Sequence, residues 1–116
     1  MIGPRTIAGQ VHLLDAVAPG ALFRLKVEDV SRLDAAATVI AESQLRLAAG
    51  AAAGDQLPFT LALPETSERA QYSVRVHVDV NGSGEITAGD LLSTASYPVA
   101  PGDHPAAMQI EARKIS

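Results

Sequence analysis

The stretch from Tyr72 to Val80, YSVRVHVDV, places an apolar side chain at every second position. Only an extended strand puts such a set on one side: Tyr72, Val74, Val76, Val78 and Val80 point one way, and Ser73, Arg75, His77 and Asp79 the other. A helix would scatter the same residues around its circumference. The β-branched valines add their own preference for the pleated backbone. The segment ALFRLKVEDV repeats the pattern, with Phe23, Leu25 and Val27 set against Arg24, Lys26 and Glu28. IAGQVHL aligns Ile7, Gly9, Val11 and Leu13, PFTLAL aligns Phe59, Leu61 and Leu63, and AMQIEAR aligns Met108, Ile110 and Ala112. LLSTASYPV alternates more weakly.

Turn signals separate these runs: Ala18-Pro19-Gly20, the stretch from Gly50 to Gly54 followed by Asp55, Leu63-Pro64, Asn81-Gly82 and Pro101-Gly102-Asp103. Short alternating segments so spaced, with no helical pattern between them, predict an all-β protein, an antiparallel β-sandwich of about seven strands. One region points two ways. Asp34-Ala35-Ala36-Ala37 could open a helix running to Glu42, but Thr38, Val39 and Ile40 are three β-branched residues in a row, and we assign a strand there. The tract AAGAAAG has little side chain to pack and reads as a flexible loop without chemistry. The sequence shows no internal repeat.

With 116 residues the chain has room for one domain, spanning residues 1–116, with residues 1–6 as a flexible start. Its 47% hydrophobic and 19% charged residues give the balance of a folding chain rather than a disordered one. A net charge of −4 argues against nucleic acid and anionic membrane surfaces as partners, because displacing phosphate counterions needs clustered Lys and Arg. Aromatic residues make up 3% with no Trp, so stacking platforms are scarce. The lack of cysteine excludes disulfides, thiolate metal sites and cysteine nucleophiles, and leaves the redox compartment open. No run approaches the roughly 18 apolar residues of a membrane span.

Several segments occur together in a recognisable order. An alternating strand ends in Asp29-Val30-Ser31, an Asp34-Ala35 pair follows, and the next strand ends in Ile40-Ala41-Glu42; Pro58-Phe59 and Tyr97-Pro98-Val99 come later. From about Gly9 to Arg113 this order resembles the YscW-like lipoprotein family, which includes YbaY-type lipoproteins and the pilotins of type III secretion systems. The matching residues look structural: a polar turn, an edge proline and a core tyrosine. The resemblance implies a small β-sandwich on the periplasmic side of a bacterial outer membrane, lipid-anchored through an N-terminal cysteine. It implies that a pilotin member binds the C-terminal segment of a secretin and assists its outer-membrane targeting and assembly. No cysteine stands in these 116 residues, so the expectation is that the signal and anchor lie upstream of the arbitrary start MIGPRT.

One stretch invites chemistry of its own. In DVNGSGEITAGD, Asp79, Asn81, Ser83, the Glu85 carbonyl, Thr87 and Asp90 fall at the first, third, fifth, seventh, ninth and twelfth positions of a calcium loop. Gly84, at the sixth, permits the sharp turn through positive φ, and Ile86, at the eighth, is expected to tie the loop to the core. Ser83 in place of a carboxylate or amide, and Asp90 in place of a bidentate Glu, predict low affinity for Ca2+. A strand rather than a helix precedes the loop, so any ion would fix structure rather than drive a switch. The competing reading is a hairpin connection built by Asn81-Gly82 and Ser83-Gly84.

The remaining candidates read as structural. His12, His77 and His104 share no metal-ligand spacing and are expected at the surface. His77 and Asp79, on one strand face, are expected to form a surface hydrogen bond rather than a catalytic dyad, since no serine sits in a Gly-flanked elbow. Asp29, Ser31 and Asp34 suggest turn solvation. No catalytic or cofactor-binding constellation emerges, which suits a binding role, and the resemblance implies a non-enzymatic protein that binds a secretin segment. It would take that segment along an edge strand or in an apolar groove. A YbaY-like envelope lipoprotein without a secretin partner, and a hydrolase or carbohydrate-binding module using the calcium loop, stay open as alternatives.

Overall fold

The computed structural model describes residues 3–31, 37–67, 69–95, 97–99 and 108–115. The alternating segments become β1 (Arg5–Leu13), β2 (Ala21–Asp29), β4 (Gln56–Leu63), β5 (Tyr72–Asp79) and β8 (Met108–Lys114). The ambiguous region is strand β3 (Thr38–Leu47), so the three β-branched residues prevail over the alanines before them. Asp34, His104 and the Pro101-Gly102-Asp103 turn lie outside the described residues. The weakly alternating LLSTASYPV divides into two short strands, β6 (Leu91–Ser93) and β7 (Tyr97–Pro98).

All strands belong to one sheet, in the order β3-β2-β5-β6-β8-β1-β4, with β7 also pairing with β5. The expected all-β build holds, and the two layers of the sandwich are halves of this single sheet curled over a common core. Its end strands, β3 and β4, come close to each other without sharing a ladder, which nearly closes the sheet into a barrel. One pairing departs from the antiparallel rule: β1 and β8 run parallel, Gly9 beside Met108 through Leu13 beside Ala112. A Cβ at Gly9 would run into the Met108 backbone, so the glycine admits β8 at this distance. The ladder of β1 begins at Arg5 and Thr6, opposite Leu63 and Ala62, so these two residues belong to the strand rather than to a flexible start.

The apolar faces meet as the alternation requires. Ile7, Val11 and Leu13 of β1, Phe23, Leu25 and Val27 of β2, Phe59, Leu61 and Leu63 of β4, Val74, Val76 and Val78 of β5, and Ile110 of β8 are buried together. Pro58 lies on β4, at one end of the sheet order, where a missing N–H costs no ladder bond on the open side. The AAGAAAG tract is pinned rather than flexible. Val17 and Ala51 exchange backbone hydrogen bonds of 2.8 and 2.9 Å. Gly50, at φ +70°, brings its backbone against Val17 where a side chain would collide.

The polar turn after β2 forms as expected. Asp29 Oδ1 accepts from the Ser31 amide at 3.0 Å and from its hydroxyl at 2.6 Å, and Ser31 Oγ accepts from the Gln71 amide at 2.7 Å. These donors hold the Asp29 carboxyl below its ordinary range, the Ser31 hydroxyl contributing most.

Candidate functional site

The loop 80–90 is the connection of an antiparallel hairpin, because β5 and β6 pair with Val78 opposite Leu91 and His77 opposite Leu92. With Val78 and Leu91 facing the core, Asp79 and Asp90 flank that pair on the other face. Both aspartates are fully buried, and His77 is 9% exposed. The polar face of β5 is therefore covered at its C-terminal end, where the hairpin folds back over it and Arg24 of β2 packs alongside. This corrects the surface placement of His77. It also corrects its partner, since His77 Nε2 meets Asp90 Oδ2 at 2.7 Å rather than Asp79. An ionised carboxylate only accepts, so Nε2 is the donor in this contact.

Each aspartate is held by the backbone of the loop it closes. Asp90 Oδ1 accepts from the Val80 amide at 3.0 Å, and Asp90 Oδ2 accepts from the Thr87 amide at 3.1 Å besides His77. Asp79 Oδ2 accepts from the Gly84 amide at 2.8 Å and from Arg24 Nη2 at 3.4 Å. Gly84 takes φ +81°, as the sharp turn requires. Burial pushes both carboxyls up. For Asp79 burial is the largest influence and the Asp90 charge adds to it, but the Gly84 and Asn81 amides and His77 together outweigh them. For Asp90 the His77 hydrogen bond and the two loop amides outweigh it. Both acids end below their ordinary range, so both are carboxylates at neutral pH.

The other calcium-template residues lie on the exposed rim of the loop, apart from Thr87, which is half-buried. Asn81 Nδ2 donates to Thr87 Oγ1 at 3.2 Å, and Ser83 Oγ donates to the Glu85 carbonyl at 3.1 Å. Ile86 does not tie the loop to the core; it is 52% exposed. Arg24 and His77 are the members of this cluster that spacing alone misses. The ladders reveal them: Gln44, Arg24, His77 and Leu92 form one cross-strand row over β3, β2, β5 and β6, and Arg24 Nη1 donates to Gln44 Oε1 at 2.7 Å. His12, on β1, sits beside the Gln109 side-chain carbonyl, away from this cluster.

A second feature lies beside the short strands. A groove of about 400 Å³ is lined by Glu28, Val30, Val74, Arg75, Leu92 and Ala95 among others. It opens where β5 changes partner. Tyr97 and Pro98 pair with Val74 and Ser73, Leu92 pairs with His77, and the Val76 amide between them donates to Ser93 Oγ at 3.3 Å. Glu28 and Arg75 form an ion pair of 3.4 Å along it.

The four aromatic side chains are all engaged. Phe23 and Phe59 are in the core, and Tyr72 and Tyr97 are half-buried, with hydroxyls that accept from the Ser67 and Glu111 amides at 3.1 and 3.0 Å.

Comparison with known proteins agrees with this architecture. No curated protein matches the chain. Among solved structures, an alternative pilotin from the type II secretion system of Vibrio cholerae superposes with a TM-score of 0.77, at 22% identity, over 97% of this chain and 98% of that one. At that identity the likeness is one of fold. A family described as the type III secretion system lipoprotein chaperone YscW matches residues 3–110, nearly the whole described sheet, and the chain belongs to that family.

Proposed function

We propose that this protein is a non-enzymatic, pilotin-like chaperone of a type III secretion system. It binds the C-terminal segment of the secretin and assists the secretin's targeting to, and assembly in, the outer membrane. The observation that carries this reading is the family match across residues 3–110, with a fold shared with a secretion pilotin in support. The protein works as a lipoprotein on the periplasmic side of that membrane. A secretin of a type II system is the second reading, favoured by the source of the structural neighbour.

The groove beside β5, β6 and β7 is where we place the secretin segment. Val30 and Leu92 supply apolar contact, and Glu28 and Arg75 supply charges of both signs at its side. Its volume falls within the roughly 300–1,000 Å³ of ordinary binding clefts, enough for a few side chains of a helix or short peptide. A carbohydrate-binding role is less well supported, because all four aromatic rings are committed to packing or hydrogen bonds rather than stacked outward as a platform.

The test is cellular. In a strain lacking this protein, the secretin should remain as monomer in the inner-membrane fraction, and the reintroduced protein should restore multimers to the outer membrane. Secretin multimers at the normal level and place in the deletion strain would refute the role.

A further inference from the structure

The two buried aspartates of the hairpin are more than its closing bonds require. Asp79 Oδ1 is buried and has no hydrogen-bond partner, while Oδ2 of the same carboxylate is held by Gly84 and approached by Arg24. Leaving an ionised oxygen out of water without a donor or cation is costly, so Asp79 Oδ1 calls for a partner from outside the protein. Asp79, Asp90 and His77 each offer a ligand atom, and the three atoms lie within 4.8 Å of one another. Among the described residues, Arg24 is the one permanently charged cation in contact with the cluster, at 3.4 Å from Asp79.

We propose that the loop 79–90 binds a calcium ion, with Asp79 Oδ1 as its anchoring ligand and Asp90 Oδ1 as the second carboxylate. Asp90 Oδ1 accepts one hydrogen bond, from Val80, and keeps a lone pair, whereas Oδ2 is committed to His77 and Thr87. Asn81 Oδ1, Ser83 Oγ, the Glu85 carbonyl and Thr87 Oγ1 complete the oxygen set, exchanging their weak rim bonds for the ion. A hard cation is indicated because every free acceptor is oxygen. His77 Nε2 spends its proton on Asp90, so a softer ion such as zinc would have to break that bond to use it. The rim ligands are exposed, which places the affinity in the weak range of extracellular calcium modules, about 10⁻⁴–10⁻³ M. The ion orders the hairpin and takes no part in partner recognition, since no residue of the loop lines the groove.

The experiment uses the folded 116-residue protein, stripped with chelator and titrated with calcium chloride while amide resonances are followed by NMR. Saturable shifts centred on Val80, Gly84, Thr87 and Asp90, with a melting-temperature rise of about 5 °C at about 10 mM calcium, are expected. Asp79→Asn keeps the Gly84 hydrogen bond and the side-chain shape, and it should abolish both responses. The same response in Asp79→Asn, or no saturable shift in the wild-type protein, overturns the site. Zinc binding that perturbs the His77 ring where calcium has no effect overturns the oxygen-ligand assignment. Magnesium should produce smaller shifts at equal concentration, because it dehydrates reluctantly.

Discussion

At its C-terminal end, both faces of β5 are buried, for opposite reasons. On one, Val74, Val76 and Val78 meet Phe23, Leu25 and Val27 of β2 in the core, where shape complementarity and area removed from water provide the stabilisation. On the other, under a polar hairpin, Asp79 is held by the Gly84 amide and the Arg24 guanidinium, and His77 by the Asp90 carboxylate. The apolar face depends on size and shape; the polar face depends on specific hydrogen bonds to its carboxylates. Alternation along a strand therefore says which residues share a face, but not whether the polar face is wet.

The largest effect should come from the apolar face. Phe23→Ala opens a cavity opposite Val78 and should cost about 4 kcal/mol, read as a lower urea midpoint at unchanged slope. A loss below about 1 kcal/mol would mean that this face is not close-packed. Next is Asp90→Ala, which strips partners from the Val80 and Thr87 amides and from His77 in a buried setting. It should cost about 3 kcal/mol. A double-mutant cycle with His77→Ala should return a coupling of about 1–2 kcal/mol, and additivity would show the pair to be independent.

Acid should separate the faces further. The folded Asp90 carboxyl lies below its ordinary value of 3.8, so its contribution is complete above that value and is lost as pH falls through the folded one. In chelator, the stability gap between wild type and Asp90→Asn should stay constant from neutral pH down to about pH 4 and close below it. A gap that closes between neutral pH and about pH 5 would contradict an ionised, hydrogen-bonded Asp90. The smallest expected change in stability is from Ala95→Arg, at the exposed side of the groove. It should alter folding by less than about 0.5 kcal/mol yet weaken secretin binding at least tenfold.

Much of this was legible in the residues. YSVRVHVDV and ALFRLKVEDV give their buried faces directly, because period two has one structural meaning. The parallel meeting of β1 and β8 was not legible, since partner choice between strands far apart in sequence leaves no local mark; Gly9 on an inward face was the only trace. His77 was misplaced for a related reason. Its position on a polar face is local, whereas its burial depends on where the hairpin folds. Setting Val78 against Leu91 as one core pair would have brought Asp90 to Asp79 and shown the cluster from the sequence. The calcium template identified both carboxylates but set Ile86, at its eighth position, against the core, whereas Ile86 is exposed.

The central claim is that this domain recognises a secretin, and calorimetry tests it most directly. The folded protein would be titrated with peptides spanning the C-terminal tail of a secretin encoded near its gene, once with calcium and once with chelator. Saturable binding in the micromolar range, lost in Ala95→Arg and unchanged by chelator, is the predicted result. A folded domain that binds none of the peptides in either condition would contradict the chaperone reading and favour an envelope lipoprotein of the YbaY type, without a secretin partner.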